Sequence, residues 1–220
     1  MHLRVGLSVI PWFVNYCYSR WVAASYPFAA VGRNLRLHYS VDLNRHMSHR
    51  IAIGDSVEMD RSAWVYVSPA APEGDEPALI IGDNCFIARY SQVAARNRIE
   101  LERDVMLSAN ALIVDHLHAY EDVSQPIRRQ GITEGGKIRI GQGCWIGHGA
   151  AIVCDRGELE LGRNCVVAAN AVVTKSFPAN SVIAGNPARI VRQFDAARHG
   201  WVLGVARSGA PVPDMVEALR

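Results

Sequence analysis

The sequence lacks the marks of several protein classes. It has no CxxC cysteine pair, no dense run of Lys or Arg, and no uncharged segment long enough to cross a membrane, which takes about 20 residues. Five scattered cysteines argue against a disulfide framework or a zinc ribbon and favour a reducing compartment. A net charge of +2 without a basic patch gives no reason to expect nucleic acid as a partner.

The N-terminus carries an apolar, aromatic segment. Between Arg4 and Arg20 the chain reads VGLSVIPWFVNYCYS, which is uncharged but short and interrupted by Pro11. No small-residue cleavage pattern follows it, so we do not expect a signal peptide. Residues 1–30 are therefore predicted to form a helical segment that packs on the body or on another subunit. Peripheral contact with a membrane surface is an open alternative.

An aliphatic residue or Met returns every six positions through most of the chain, as in IGDNCFIARYSQV. A period of six fits neither a helix nor a simple alternation, but it suits a short strand followed by a corner. Three such sides would close a triangular coil of about 18 residues, and coils stacked about 4.8 Å apart form a parallel β-helix. The periodic residues fall into six groups: Val31, Leu37, Leu43; Ile53, Met59, Val65; Ile81, Ile87, Val93; Leu101, Leu107, Ile113; Ile140, Ile146, Ile152; and Leu161, Val167, Val173.

The breaks in this period all follow the third side of a coil. Every insertion is therefore predicted to leave the prism at the same corner, and the longest occupy about 68–79 and 119–137. Loops on a rigid scaffold are where function usually lies. We expect a β-helix over residues 31–185 and a C-terminal tail over 186–220.

The motifs DHLH, WIG, VVTK and AGNPARIV lie in this order along the repeat. Together they resemble the hexapeptide-repeat, left-handed β-helix acyltransferases, in particular the sugar O-acetyltransferases, over residues 31–192. The resemblance implies an all-β fold, a left-handed parallel β-helix of about six coils. It also implies an acetyl-CoA-dependent O-acetyltransferase of polysaccharide or glycoconjugate biosynthesis, cytoplasmic or at the inner face of the membrane. Relatives are homotrimers whose active sites lie between subunits.

Acetyl transfer to a sugar hydroxyl requires a base, because the hydroxyl must lose its proton as it attacks. A neutral histidine suits this task. His118 lies five residues after Ile113, where the family places its catalytic histidine, so the resemblance implies that His118 is the general base. His116 and Asp115 are expected to support the acceptor site or to orient a histidine. Two alternatives stay open: His116 is the base, or His116 and His118 are both ordinary loop histidines.

The resemblance also implies positions for the co-substrate. Trp145 corresponds to a tryptophan beside the active site, and His148 occupies a position where a small residue is usual. Cations near the nucleotide end suit the 3′-phosphate and pyrophosphate of coenzyme A. The implied cofactor-binding residues are Gly147, His148 and Ala169 for the pantetheine arm, and Thr174, Lys175, Arg189 and Arg192 for the nucleotide.

Two other functions are compatible with the residues. A zinc lyase like the γ-type carbonic anhydrases would need three convergent histidines across a subunit boundary, and His46 and His49 add to His116 and His118. The GNPAR segment and its cations favour coenzyme A, so no metal is expected. A non-catalytic scaffold is the third hypothesis.

Overall fold

A computed structural model of the chain describes residues 3–203, with side chains from residue 12 onward. It consists of one long helix, α1 (Leu3–Ser25), and a three-sided prism of short strands. Short 3₁₀ helices, Arg45–Arg50 and Ile127–Arg129, lie in two of the connections. No helix among the described residues is long and apolar enough to cross a membrane.

Each full coil contributes one strand to each of three faces, called A, B and C in chain order. The first three coils are β1 (Ala30–Val31), β2 (Arg36–Leu37), β3 (Asp42–Leu43); β4 (Ile51–Ile53), β5 (Glu58–Met59), β6 (Trp64–Val67); and β7 (Leu79–Ile81), β8 (Phe86–Ile87), β9 (Gln92–Ala95). The next three are β10 (Arg98–Leu101), β11 (Met106–Leu107), β12 (Leu112–Val114); β13 (Lys137–Ile140), β14 (Trp145–Ile146), β15 (Ala151–Val153); and β16 (Glu158–Leu161), β17 (Val166–Val167), β18 (Val172–Val173). Strands of successive coils pair in parallel on every face.

The periodic residues form three columns inside the prism. Val31 is paired with Ile53 on face A, Leu37 with Met59 on face B and so on down each face, without a change of register. All of them are buried except Val31, which is partly exposed. Burial of these aliphatic side chains stabilises the fold by about 1.5–3 kcal/mol each. The predicted period and its phase are thus confirmed, including in the first coil.

Small residues at the corners allow the coils to stack closely. A Cβ on Gly162 would lie 2.3 Å from the backbone nitrogen of Ala179, so no side chain fits there. Cys85, Cys144 and Cys165 are buried in one corner column as packing groups, and burial raises the pKa of Cys85 to about 11. Left-handed backbone recurs at the corners, most often at asparagines, which tolerate it: Asn34, Asn84, Asn110, Asn164 and Asn170 have φ between 55° and 61°.

The two ends of the prism are covered differently. At the start, Val22 of α1 is fully buried, and Ser19 Oγ accepts a 2.7 Å hydrogen bond from the Leu37 N–H, a group on the edge strand of face B. At the end, β19 (Ser181–Ala184) extends face B in parallel, and β20 (Arg189–Asp195) and β21 (Gly200–Leu203) add to it as antiparallel strands. The sequence predicted only a tail from residue 186, and these two strands were missed.

Candidate functional site

The corner between faces C and A carries the longest connection, and a buried carboxylate lies where that connection begins. Asp115 follows β12 directly, and its side chain has no exposed surface. It accepts hydrogen bonds from the backbone N–H groups of Arg96 at 2.7 Å, Asn97 at 2.8 Å and Arg98 at 2.9 Å. A buried carboxylate is costly unless hydrogen-bonded, and this one is held by three backbone donors.

His116 is anchored to this carboxylate. Its Nδ1 lies 2.9 Å from Asp115 Oδ1, and its side chain is only 13% exposed. Donation from Nδ1 to a carboxylate fixes the tautomer and leaves Nε2 of the neutral ring as a proton acceptor. The structure therefore joins Asp115 and His116, two of the residues that the sequence singled out.

His118 has a different environment. Its side chain is exposed, and its ring has no hydrogen-bond partner within residues 3–203. Its backbone forms a bridge with Ile132 on the returning arm of the loop. The two histidines thus differ in environment: the His116 ring is held by a buried carboxylate, and the His118 ring is exposed.

The base of the loop is closed by hydrogen bonds, so both histidines lie on a fixed part of it. The Thr133 N–H donates to the Leu117 carbonyl at 2.8 Å, and the Leu117 N–H donates to Thr133 Oγ1 at 3.0 Å. Below this pair, the guanidinium of Arg96 and the side-chain amide of Asn97 both donate to the Glu134 carbonyl. We call the corner formed by Asp115, His116 and His118 the histidine edge.

The corner between faces B and C is built from small residues. A Cβ on Gly147 would lie 2.6 Å from the Val167 carbonyl oxygen, so this position is closed to side chains. His148 is exposed beside it, and its backbone carbonyl accepts from Asn170 at 2.9 Å. Ala169 occupies the position of His148 in the next coil. We call the corner formed by Gly147, His148 and Ala169 the glycine edge.

Trp145 lies on the outer side of face B. It is 45% exposed, and its Nε1 donates to Ser108 Oγ at 2.8 Å. In a three-sided prism, face B is opposite the corner between faces C and A. Trp145 and the histidine edge therefore lie on opposite sides of one chain.

The predicted nucleotide-binding residues are also divided between two regions. Thr174 and Lys175 are exposed on the same corner as the histidines, two coils further along, with Lys175 Nζ 5.5 Å from the centre of the Phe177 ring. Arg189 and Arg192 lie on β20, on face B. Face C lies between the corner that carries the histidines and the glycine edge. One chain by itself does not bring all the predicted site residues together.

The histidines do not converge on a metal site within one chain. Among the residues that the structure describes, no three His, Cys, Asp or Glu side chains could hold a metal ion together. His46 and His49 lie in the first connection at the same corner, three coils or about 14 Å from the histidine edge.

Comparison with known proteins finds similarity to proteins named as acetyltransferases. No family model matches it. It is 30% identical over 129 residues to "Putative lipopolysaccharide biosynthesis O-acetyl transferase WbbJ" of Escherichia coli, covering 56% of this chain and 64% of that protein. It is 28% identical over 199 residues to "Probable acetyltransferase Rv3034c" of Mycobacterium tuberculosis, covering 84% and 62%. The chain is a relative of these acetyltransferases. It spans less than two thirds of the length of either.

Solved structures share the fold. AntD, an N-acyltransferase from Bacillus cereus in complex with dTDP and 3-hydroxybutyryl-CoA, superposes with a TM-score of 0.56 at 19% identity, covering 79% of this chain and 87% of that one. The acetyltransferase domain of PglB from Neisseria gonorrhoeae, in complex with acetyl coenzyme A, gives 0.50 at 18% identity, covering 71% and 57%. The predicted all-β fold, a left-handed parallel β-helix preceded by a helix, is confirmed.

Sequence reasoning missed the residues that hold Asp115. Arg96 and Asn97 form the shortest break in the repeat, a two-residue excess between β9 and β10. The signal was present, because this break and the long loop leave the prism at the same corner in successive coils. A small insertion at Arg96 and Asn97, next to the large one that begins at Asp115, could have indicated that the two segments contact each other.

Proposed function

We propose that the protein is an acetyl-CoA-dependent O-acetyltransferase that acts on a sugar hydroxyl in polysaccharide or glycoconjugate biosynthesis. The observation that carries this proposal is the histidine edge, where a buried carboxylate fixes one histidine beside a second, exposed one at the most elaborated corner. The names of the relatives, and the coenzyme A ligands of AntD and PglB, support the same reaction class.

His118 is proposed as the general base. Its exposed ring can meet a hydroxyl that arrives from outside the chain, whereas the His116 ring is largely covered and has Nδ1 engaged. The base removes the proton as the hydroxyl oxygen attacks the thioester carbonyl, and the thiol of coenzyme A leaves. The Asp115–His116 pair holds the start of the loop and so keeps His118 in place.

Acetyl-CoA, as co-substrate, would lie along the glycine edge. The exposed Ala169 carries only a methyl group there, Gly147 lets adjacent coils approach closely, and His148 lies at the side of the proposed path of the pantetheine arm. The 3′-phosphate and pyrophosphate would be met by cationic and hydroxyl side chains, which favour phosphate oxygens. The residues proposed for this end are Thr174, Lys175, Arg189 and Arg192.

A complete site requires a second chain. The histidine edge and the glycine edge lie at opposite margins of face C, and Trp145 lies on the side of the prism opposite the histidine edge. We therefore propose a homotrimer in the cytoplasm, in which the histidine edge of one chain meets the glycine edge and Trp145 of its neighbour. A closed ring of identical head-to-tail contacts would form three equivalent sites.

The reaction is tested by following acetyl-CoA consumption with nucleotide sugars, free sugars and oligosaccharides as acceptors. The expected result is coenzyme A release that requires one acceptor class, together with an acetylated sugar detected by mass spectrometry. Carbon dioxide hydration that depends on stoichiometric zinc, without acetyl transfer, would instead establish a lyase.

The arrangement between chains is tested by mixing two variants, His118→Ala and Trp145→Ala, each of which removes one part of the proposed site and should lower activity. Refolding or co-expression should restore activity at about a quarter of the sites, because a site can draw both intact edges from different chains. Absence of recovery in a mixed oligomer would place each site within one chain and refute this arrangement.

A further inference from the structure

Helix α1 is apolar on two sides, and only one of them is covered by the prism. Its inner side packs on the first coil through Val22, Ser19 and Tyr18, whose hydroxyl donates to the Val41 carbonyl at 3.3 Å. Its outer side presents large aromatic side chains to solvent. Their exposed fractions are 64% for Trp12, 57% for Phe13, 53% for Tyr16 and 55% for Trp21.

The charge of the helix itself has one sign, and the acidic residues Glu58 and Asp60 of the prism lie across the groove that Trp12, Tyr16 and Arg20 form with the first two coils. Arg4 and Arg20 are the charged residues of α1, and no Asp or Glu precedes Asp42. Arg20 is exposed among the aromatic side chains. An exposed aromatic surface of this kind is unusual on a soluble monomer and indicates an interaction site.

We propose that the outer face of α1, formed by Trp12, Phe13, Tyr16, Arg20 and Trp21, lies on the surface of an anionic lipid bilayer. Trp and Tyr are the side chains enriched at the membrane–water interface, where an apolar ring and a polar group are both satisfied. Arg20 adds attraction to anionic headgroups. A contact between two copies of this face would instead bring Arg20 against Arg20 without an acidic partner on the helix.

The test uses the full chain and sedimentation with two kinds of vesicle, phosphatidylcholine alone and equal parts of phosphatidylcholine and phosphatidylglycerol. The wild-type protein should bind the mixed vesicles and bind the neutral ones more weakly. Trp12→Ser combined with Phe13→Ser should weaken binding to the mixed vesicles by tenfold or more, because two interfacial rings are lost. Arg20→Gln should weaken binding to the mixed vesicles by about fivefold and leave binding to the neutral vesicles unchanged.

Trp201→Ser is the matched control, since Trp201 is 47% exposed on β21 at the other end of the prism. It should leave vesicle binding unchanged. Failure of the wild-type protein to bind the mixed vesicles, or equal binding by the Trp12/Phe13 variant, overturns the proposal. If the wild-type protein does not bind vesicles and the Trp12/Phe13 variant has a lower oligomer mass in light scattering, the face contacts a second copy of the chain.

Acetyl transfer to a soluble acceptor is measured on the same samples. Membrane binding is independent of the proposed reaction, so each can fail while the other stands.

Discussion

The histidine edge and the glycine edge bound the same face of the prism but are built in opposite ways. The histidine edge is made by insertion, since a two-residue break and a long loop place three backbone donors around Asp115. The glycine edge is made by omission, since adjacent coils approach until a Cβ on Gly147 would touch the Val167 carbonyl. One edge supplies polar groups held by hydrogen bonds, and the other supplies bare backbone.

This difference suits two halves of a transfer reaction. Proton removal needs a titratable group in a defined orientation, which requires surrounding polar contacts. A thin, flexible thioester arm can bind through backbone contacts, which a corner with Gly147 and Ala169 can provide. Because the edges are separated by face C, the oligomer proposed above is what would join them.

The largest effect is expected at His118. His118→Ala should lower kcat by about 10²-fold or more, because the attacking hydroxyl loses its base. Binding of acetyl-CoA, measured by calorimetry, should be retained, since the glycine edge is untouched. His116→Ala is the comparison. Full turnover in His118→Ala with an inactive His116→Ala would reverse the two roles.

The carboxylate that organises the histidine edge should matter most for stability. Asp115→Asn keeps the shape but removes the charge that faces three backbone N–H groups and the His116 ring. We expect a loss of about 2–3 kcal/mol in the free energy of unfolding, measured with urea. Asp155→Asn is a suitable control, because its carboxylate pairs with the exposed Arg156 and should change stability by well under about 1 kcal/mol. An equal change in the free energy of unfolding for both variants would show that Asp115 does not organise the histidine edge.

Adding a single methyl group at the glycine edge should lower the stability of the protein. Gly147→Ala places a Cβ against the Val167 carbonyl and the Ala169 nitrogen, so the backbone must shift, at an expected loss of about 1–3 kcal/mol. Thermal unfolding measures the change. Gly200→Ala is the control, because its Cβ would lie 3.6 Å from the Arg198 carbonyl oxygen, which is an ordinary contact. A Gly147→Ala protein as stable as wild type would contradict the close packing of this edge.

The sequence predicted the prism well, because its interior admits one aliphatic residue per side and so imposes a period of six. The same period places Trp145 one residue before Ile146, hence outward on the second side, and His118 beyond the third side. It could not predict the contacts of Asp115, which depend on the backbone path at a two-residue break. Nor does it indicate what the exposed His118 ring meets, because no partner for that ring lies within residues 3–203.

The smallest effect is expected beyond the glycine edge, at Arg189. Its guanidinium is exposed at the start of β20 and donates to the Ala188 carbonyl, leaving further donors for a phosphate. Arg189→Ala should weaken acetyl-CoA by about tenfold and dephospho-acetyl-CoA much less, because the dephospho form lacks the 3′-phosphate. Competition binding with both ligands measures the difference, and Arg163→Ala, an exposed arginine at the corner between faces A and B, should change neither affinity. An equal loss for both ligands would show that Arg189 does not contact the 3′-phosphate.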